Sequence, residues 1–94
     1  MSPNQAYRLA LSKYLNVSEK KISTYWKGRV ALYTALKAMG VRSGDEVILP
    51  AFTCVVVPNA ILYLGATPVY VDIDKETLCA KASAVEAKIS ARTK

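Results

Sequence analysis

Apolar positions recur along the chain in two different periods, and the changes of period divide it into elements. Tyr7, Leu11, Tyr14 and Leu15 fall at helical spacing. Ahead of them, Ser2-Pro3-Asn4-Gln5 reads as a helix start. Ser2 is the candidate N-cap, Pro3 sits where a missing N–H costs nothing, and Gln5 can complete a capping box. Asn16 is the candidate C-terminal residue. The single apolar stripe of this helix needs a surface to pack against. Residues 22–26, from Ile22 to Trp26, are branched and aromatic and predict a short strand. After Lys27-Gly28-Arg29, a wide apolar face formed by Val30, Ala31, Leu32, Ala35, Leu36, Ala38 and Met39 predicts a helix, closed by Gly40.

Ser43-Gly44-Asp45 predicts a turn. Residues 46–49 form a nearly continuous apolar run, as in a parallel strand covered on both faces, and Pro50 stops it. Thr53 is the candidate cap of a helix reaching about Leu64 and ended by Gly65. Pro58 falls early in that stretch and moves the regular helix to Val55 or later. Ala66-Thr67-Pro68 leads into a strand at Val69-Tyr70-Val71, followed by Asp72-Ile73-Asp74. A last helix, with Val85, Ala87 and Ile89, is expected from near Ser83. The order α, βα, βα, βα predicts an α/β fold with a parallel sheet of three short strands. The last helix should feed another parallel strand, and none is predicted before Lys94. The expected organisation is a helical segment over residues 1–21 and an incomplete α/β domain over 22–94, the N-terminal portion of a larger protein. Its open sheet edge favours aggregation or domain swapping.

The composition narrows the chemistry. The chain has 94 residues, 52% of them apolar, which is material for a core. It contains no histidine. That excludes a Ser-His-Asp or Cys-His machine within it, and any histidine-based metal site. Its two cysteines are too few for a disulfide scaffold and point to a reducing, cytoplasmic compartment. The net charge is +6, unevenly placed: residues 1–42 carry eight Lys/Arg against one Glu, and residues 43–80 carry one Lys against five acids. The basic groups are scattered over several elements, as on a solvated surface, and no nucleic-acid partner is expected. Residues 47–71 hold no charge and are nominally long enough to span a bilayer. Pro50, Pro58 and Pro68 instead fit the boundaries of a soluble strand–helix–strand unit, so no membrane association is expected. The N-terminus lacks the pattern of a secretory signal.

Candidate chemistry gathers where strands should end. Gly28 lies at a strand-to-helix joint, where a helix start offers unpaired N–H groups to an anion; the simpler reading is that it only turns the chain. Open α/β folds place ligands at the carboxyl ends of strands, which here means residues 27–30, 50–54 and 72–74. Cys54 precedes a helix start that can activate a thiol, or it is a small buried thiol in a run of valines. Cys79 reads as structural. Asp72 and Asp74 can form a carboxylate pair on one side of a strand, or can be turn formers at its end.

Read together, several segments resemble the start of the DegT/DnrJ/EryC1/StrS sugar aminotransferases. They are Gly28-Arg29-Val30-Ala31-Leu32, Gly44-Asp45-Glu46-Val47-Ile48-Leu49-Pro50, Ala51-Phe52-Thr53, Pro58-Asn59-Ala60-Ile61, Leu64-Gly65-Ala66-Thr67-Pro68-Val69, Asp72-Ile73-Asp74 and Arg92-Thr93-Lys94. The resemblance implies the N-terminal part of the large domain of a fold-type-I pyridoxal phosphate (PLP) enzyme, a three-layer α/β/α unit with a mostly parallel sheet. It implies a homodimer that moves an amino group, usually from glutamate, to a keto-sugar on a nucleotide in polysaccharide biosynthesis. In the family, a Gly-Thr-Ala segment helps hold the cofactor phosphate. Gly28, Arg29 and Val30 occupy it here, with Arg29 in place of the hydroxyl residue. Cys54 stands where many members stack an aromatic residue on the cofactor ring. PLP chemistry also needs a lysine bound to the cofactor and an acid paired with its ring nitrogen. In the family both lie beyond the stretch matched here, so these 94 residues alone are expected to be inactive. A PLP-dependent sugar dehydratase and a noncatalytic α/β interaction module are the alternatives.

Overall fold

The computed structural model describes residues 1–94. Helix α1 spans Pro3–Leu15. Its start is the predicted capping box: Gln5 N–H donates to Ser2 Oγ, and Ser2 N–H donates to Gln5 Oε1 at 2.9 Å. Asn16 closes it in the left-handed conformation, φ 53°. The apolar stripe of α1 is largely unsatisfied, since Tyr7, Tyr14 and Leu15 are exposed. What holds α1 is polar. Arg8 pairs with Glu19 at 2.8 Å across a 3-10 turn at Glu19–Lys21, and Thr24 Oγ1 donates to Asn4 Oδ1 at 2.7 Å.

The predicted strand at residues 22–26 does not form. Ile22 has extended dihedrals, φ −112° and ψ 120°, but no neighbouring strand offers it a ladder. Propensity for extended backbone makes a strand only where a partner pairs with it. Helix α2 then runs over Gly28–Ala38 with Met39 as its cap and Gly40 beyond.

Strand β1 covers Glu46–Pro50, helix α3 Val56–Tyr63, strand β2 Thr67–Val71 and helix α4 Ala82–Lys88. The strands pair in parallel, with Glu46 opposite Thr67, Val47 opposite Pro68 and Pro50 opposite Val71. The sheet has two strands where three were expected. Thr53 does not cap α3; the cap position is Val55, and no side chain serves it. Pro58 therefore falls at the third helical position, where its absent N–H breaks no intrahelical bond.

The edge of β1 away from β2 is not bare. Thr93 forms a parallel bridge to Glu46, Glu46 N–H donates to Arg92 O at 2.8 Å, and Lys94 N–H donates to Glu46 O at 2.9 Å. The further parallel strand that α4 was expected to feed thus begins within the chain. The Glu46 carboxylate fixes it, accepting from Arg92 Nη2 at 2.8 Å and from Ser90 Oγ at 2.7 Å.

The core lies between β1, α3 and the end of α2. Val41, Leu49, Ile61 and Ala66 form its buried cluster, with Leu36, Val47, Val57 and Leu64 packed against it. Ile61 is 1% exposed, a burial that stabilises by about 1.5–3 kcal/mol. Gly65 makes the tight return from α3 to β2. Its φ is +74°, and a Cβ there would come within 3.3 Å of Ser43 Cβ.

A candidate cofactor and ligand site at the start of helix α2

The first turn of α2 is uncapped. Lys27 occupies the cap position without a side-chain hydrogen bond. Its carbonyl accepts the N–H groups of Val30 and Ala31, both at 3.1 Å. Gly28 and Arg29 N–H have no partner in the chain, as helix geometry requires of the first positions. Two such donors, together with the positive end of the helix dipole, favour an anion.

Gly28 is not there to turn the chain. Its φ is not positive, and a Cβ added to it would meet nothing within 4 Å. Neither backbone conformation nor internal packing calls for glycine, and the space beside its amide is open. The indole of Trp26 lies next to this terminus, 76% exposed, with Lys27 Nζ 4.3 Å from the ring centroid.

Arg29 and Val30 continue into a hollow of about 320 Å³ between α2 and α3. Tyr33 joins them from α2, and Val56, Asn59 and Tyr63 from α3. Arg29 and Tyr33 are one helical turn apart, as are Asn59 and Tyr63, so each pair shares a helix face. The sequence reading missed Tyr33, Asn59 and Tyr63. Their matching spacing on consecutive helices was the available signal.

The expected cluster at the strand ends divides in two. Residues 29 and 30 face the α2–α3 hollow. Ala51 and Asp72 line a separate one, of about 340 Å³, with Tyr70 and with Ala84, Ala87 and Lys88 of α4. Ala51 N–H donates to Val71 O at 2.9 Å and ties the two strand ends together.

Cys54 lines neither hollow and is exposed, which overturns its reading as a thiol buried among valines. Pro50 ends β1 and α3 begins only at Val56, so the intervening loop carries Cys54 clear of the core. Its carbonyl accepts Val57 N–H at 3.0 Å, which places it beside the α3 terminus. Cys79 is exposed as well.

Asp72 and Asp74 do not make a carboxylate pair for chemistry. Asp74 Oδ1 accepts the N–H groups of Glu76 at 2.8 Å and Thr77 at 3.1 Å, and its own N–H donates to Cys79 O at 2.8 Å. Those amides hold the carboxyl of Asp74 below the usual aspartate range. It is a turn former, and Ile73 pairs back antiparallel with Ala80 across the turn. No helix of the chain is long and apolar enough to cross a membrane.

Comparison with known proteins agrees with this arrangement. The sequence profile of the DegT/DnrJ/EryC1/StrS aminotransferase family matches residues 3–94. GDP-perosamine synthase of Escherichia coli O157:H7 is 49% identical over 72 residues, covering 77% of this chain and 20% of that protein. Among solved structures, the aminotransferase TlmJ of Streptoalloteichus hindustanus superposes with a TM-score of 0.91 at 31% identity, over 100% of this chain and 26% of its own. NtdA of Bacillus subtilis, solved with bound cofactor PMP, gives 0.83 at 33% identity, over 100% of this chain and 21% of its own. The chain spans about a fifth to a quarter of the length of these proteins. The shared fold is that of the PLP-dependent aminotransferases, of which these residues form an α/β part of the large domain. The chain belongs to the DegT/DnrJ/EryC1/StrS aminotransferase family, whose cofactor is pyridoxal phosphate.

Proposed function

We propose that this chain supplies the cofactor-phosphate end of an aminotransferase that moves an amino group from glutamate to a keto-sugar carried on a nucleotide. The observation that carries the proposal is the uncapped start of α2, with two unpartnered amides and open space beside Gly28. PLP, when bound, supplies the electron sink for amino-group transfer. The chain's own residues bind and orient it. Gly28 and Arg29 donate their N–H groups to the phosphate. Val30 N–H is committed to Lys27 O and closes the turn beneath them. Cys54, on the exposed loop ahead of α3, is the residue we assign to the edge of the cofactor ring.

All nine lysines are exposed, and none lines the hollow beside α2. Covalent attachment of the cofactor is therefore assigned to a lysine outside these 94 residues, and the segment alone is expected to be inactive. The nucleotide part of the substrate is suggested by the relative named for GDP-perosamine. We further propose that the working form is a cytoplasmic homodimer.

The test is a PLP titration of the complete protein, followed by visible absorption and by quenching of Trp26. A visible band that bleaches on adding glutamate supports transamination. A band that persists in glutamate while the sugar is consumed favours the dehydratase. No band at saturating PLP removes the proposal.

A further inference from the structure

The hollow between α2 and α3 is mostly apolar, with a few polar groups of one character. Arg29 is the only charged residue on its lining. The two ion pairs of the chain are Arg8–Glu19 and Arg92–Glu46, so the Arg29 guanidinium has no carboxylate partner. The Asn59 amide and the hydroxyls of Tyr33 and Tyr63 likewise make no side-chain hydrogen bond within the chain. Lys37 Nζ stands 5.7 Å from the Tyr33 ring centroid and adds a second positive charge near the rim. Tyr63 is 72% exposed and presents its ring to solvent.

We infer that this hollow takes the nucleoside diphosphate part of the sugar substrate, with the base against the tyrosine rings and a phosphate on Arg29. The inference rests on the proposed function and adds a location to it. A volume of about 320 Å³ lies in the range of small-molecule sites, which are largely apolar with a few orienting polar groups. Aromatic rings accept a base by stacking. A guanidinium fork matches a phosphate in shape and charge. An apolar peptide or a second copy of this face would enclose Arg29 with no counter-charge, which is unfavourable. Arg29 links the two sites, since its backbone N–H belongs to the helix start and its side chain to the hollow.

The experiment uses the complete protein loaded with PLP, with GDP and UDP as probes and calorimetry as the readout. Arg29→Gln is expected to weaken the preferred nucleotide by about tenfold or more, the effect of losing a charged hydrogen bond. Tyr63→Leu, at a solvent-facing position where folding is not at stake, is expected to weaken it several-fold. PLP affinity, followed separately by visible absorption, should stay unchanged in both. If both variants bind nucleotide as the parent does while PLP still binds, the hollow is not the nucleotide site and the inference falls alone. If Arg29→Gln lowers PLP affinity instead, its side chain serves the cofactor and the inference is overturned. If the variants change self-association rather than nucleotide binding, a second copy occupies the hollow. If PLP does not bind the parent, the proposed function falls and takes the inference with it.

Discussion

Glu46 holds Arg92 at 2.8 Å while exchanging backbone hydrogen bonds with Arg92 and Lys94, so one residue fixes both the ladder and the side-chain pairing on the second edge of β1. The two partners are unequally placed: the Glu46 side chain is 13% exposed and that of Arg92 71%. Glu46→Ala removes the acceptor of two hydrogen bonds and is expected to cost about 1–2 kcal/mol. Arg92→Ala removes a solvent-screened charge and should cost less than about 1 kcal/mol. Urea unfolding orders the two, and hydrogen exchange at the Lys94 amide should speed up more in the glutamate variant. The reverse order would show that the charge pair, and not the carboxylate's enclosure, holds this strand.

Gly28 separates stability from binding. With no positive φ and no atom within 4 Å of a Cβ, Gly28→Ala should leave stability unchanged or raise it by about 0.5–1 kcal/mol. Gly28→Val should also fold, and the added bulk beside the two free amides should weaken PLP about tenfold or more. Urea midpoints and PLP titrations measure the two effects independently. Undiminished PLP affinity in Gly28→Val would move the phosphate away from this helix start.

Asp74 gives a pH dependence of known sign. The amides of Glu76 and Thr77 favour its charged form, so its carboxyl titrates lower in the folded chain than in the unfolded one. Its contribution is complete above the ordinary aspartate range and is lost as pH falls through the lower folded value. Carboxyl-resolved NMR titration should find that depressed midpoint. Exchange at the Glu76 and Thr77 amides should accelerate in acid, and at neutral pH in Asp74→Ala. An Asp74 titration like that of a free aspartate would dismiss the turn as its cause.

Ile61 is the most enclosed large side chain, at the centre of a small core. Ile61→Ala is expected to cost about 2–5 kcal/mol, a large share of what a small domain possesses. Circular dichroism in urea would detect it. A loss below about 1 kcal/mol would mean that the cluster around Leu49 and Ala66 re-forms around the gap.

The punctuation of this fold is legible in the sequence because it acts locally. Ser2 with Gln5, Asn16, Gly40 and Gly65 each mark a boundary through their own backbone chemistry. The strand expected at residues 22–26 failed because pairing is a property of two segments, and no second one lies beside Ile22. Thr53 failed as a cap because the loop after Pro50 continues past it to Val55. The exposure of Cys54 depends on where that loop leaves the sheet, which a run of valines does not disclose. The site was half legible. Gly28 and Arg29 stood out by position, whereas Asn59 and Tyr63 become partners of Arg29 only when α3 lies beside α2.

The placing of Pro68 opposite Val47 has a consequence for encounters with other chains. Thr67 N–H donates to Asp45 O, and Val71 O accepts from Ala51 N–H. The odd-numbered backbone groups of β2 therefore point to β1, and those of Pro68 and Tyr70 point outward. Proline brings no donor to that rim. A stray extended peptide docking there finds an incomplete template, so the proline acts as a gatekeeper against indiscriminate strand addition.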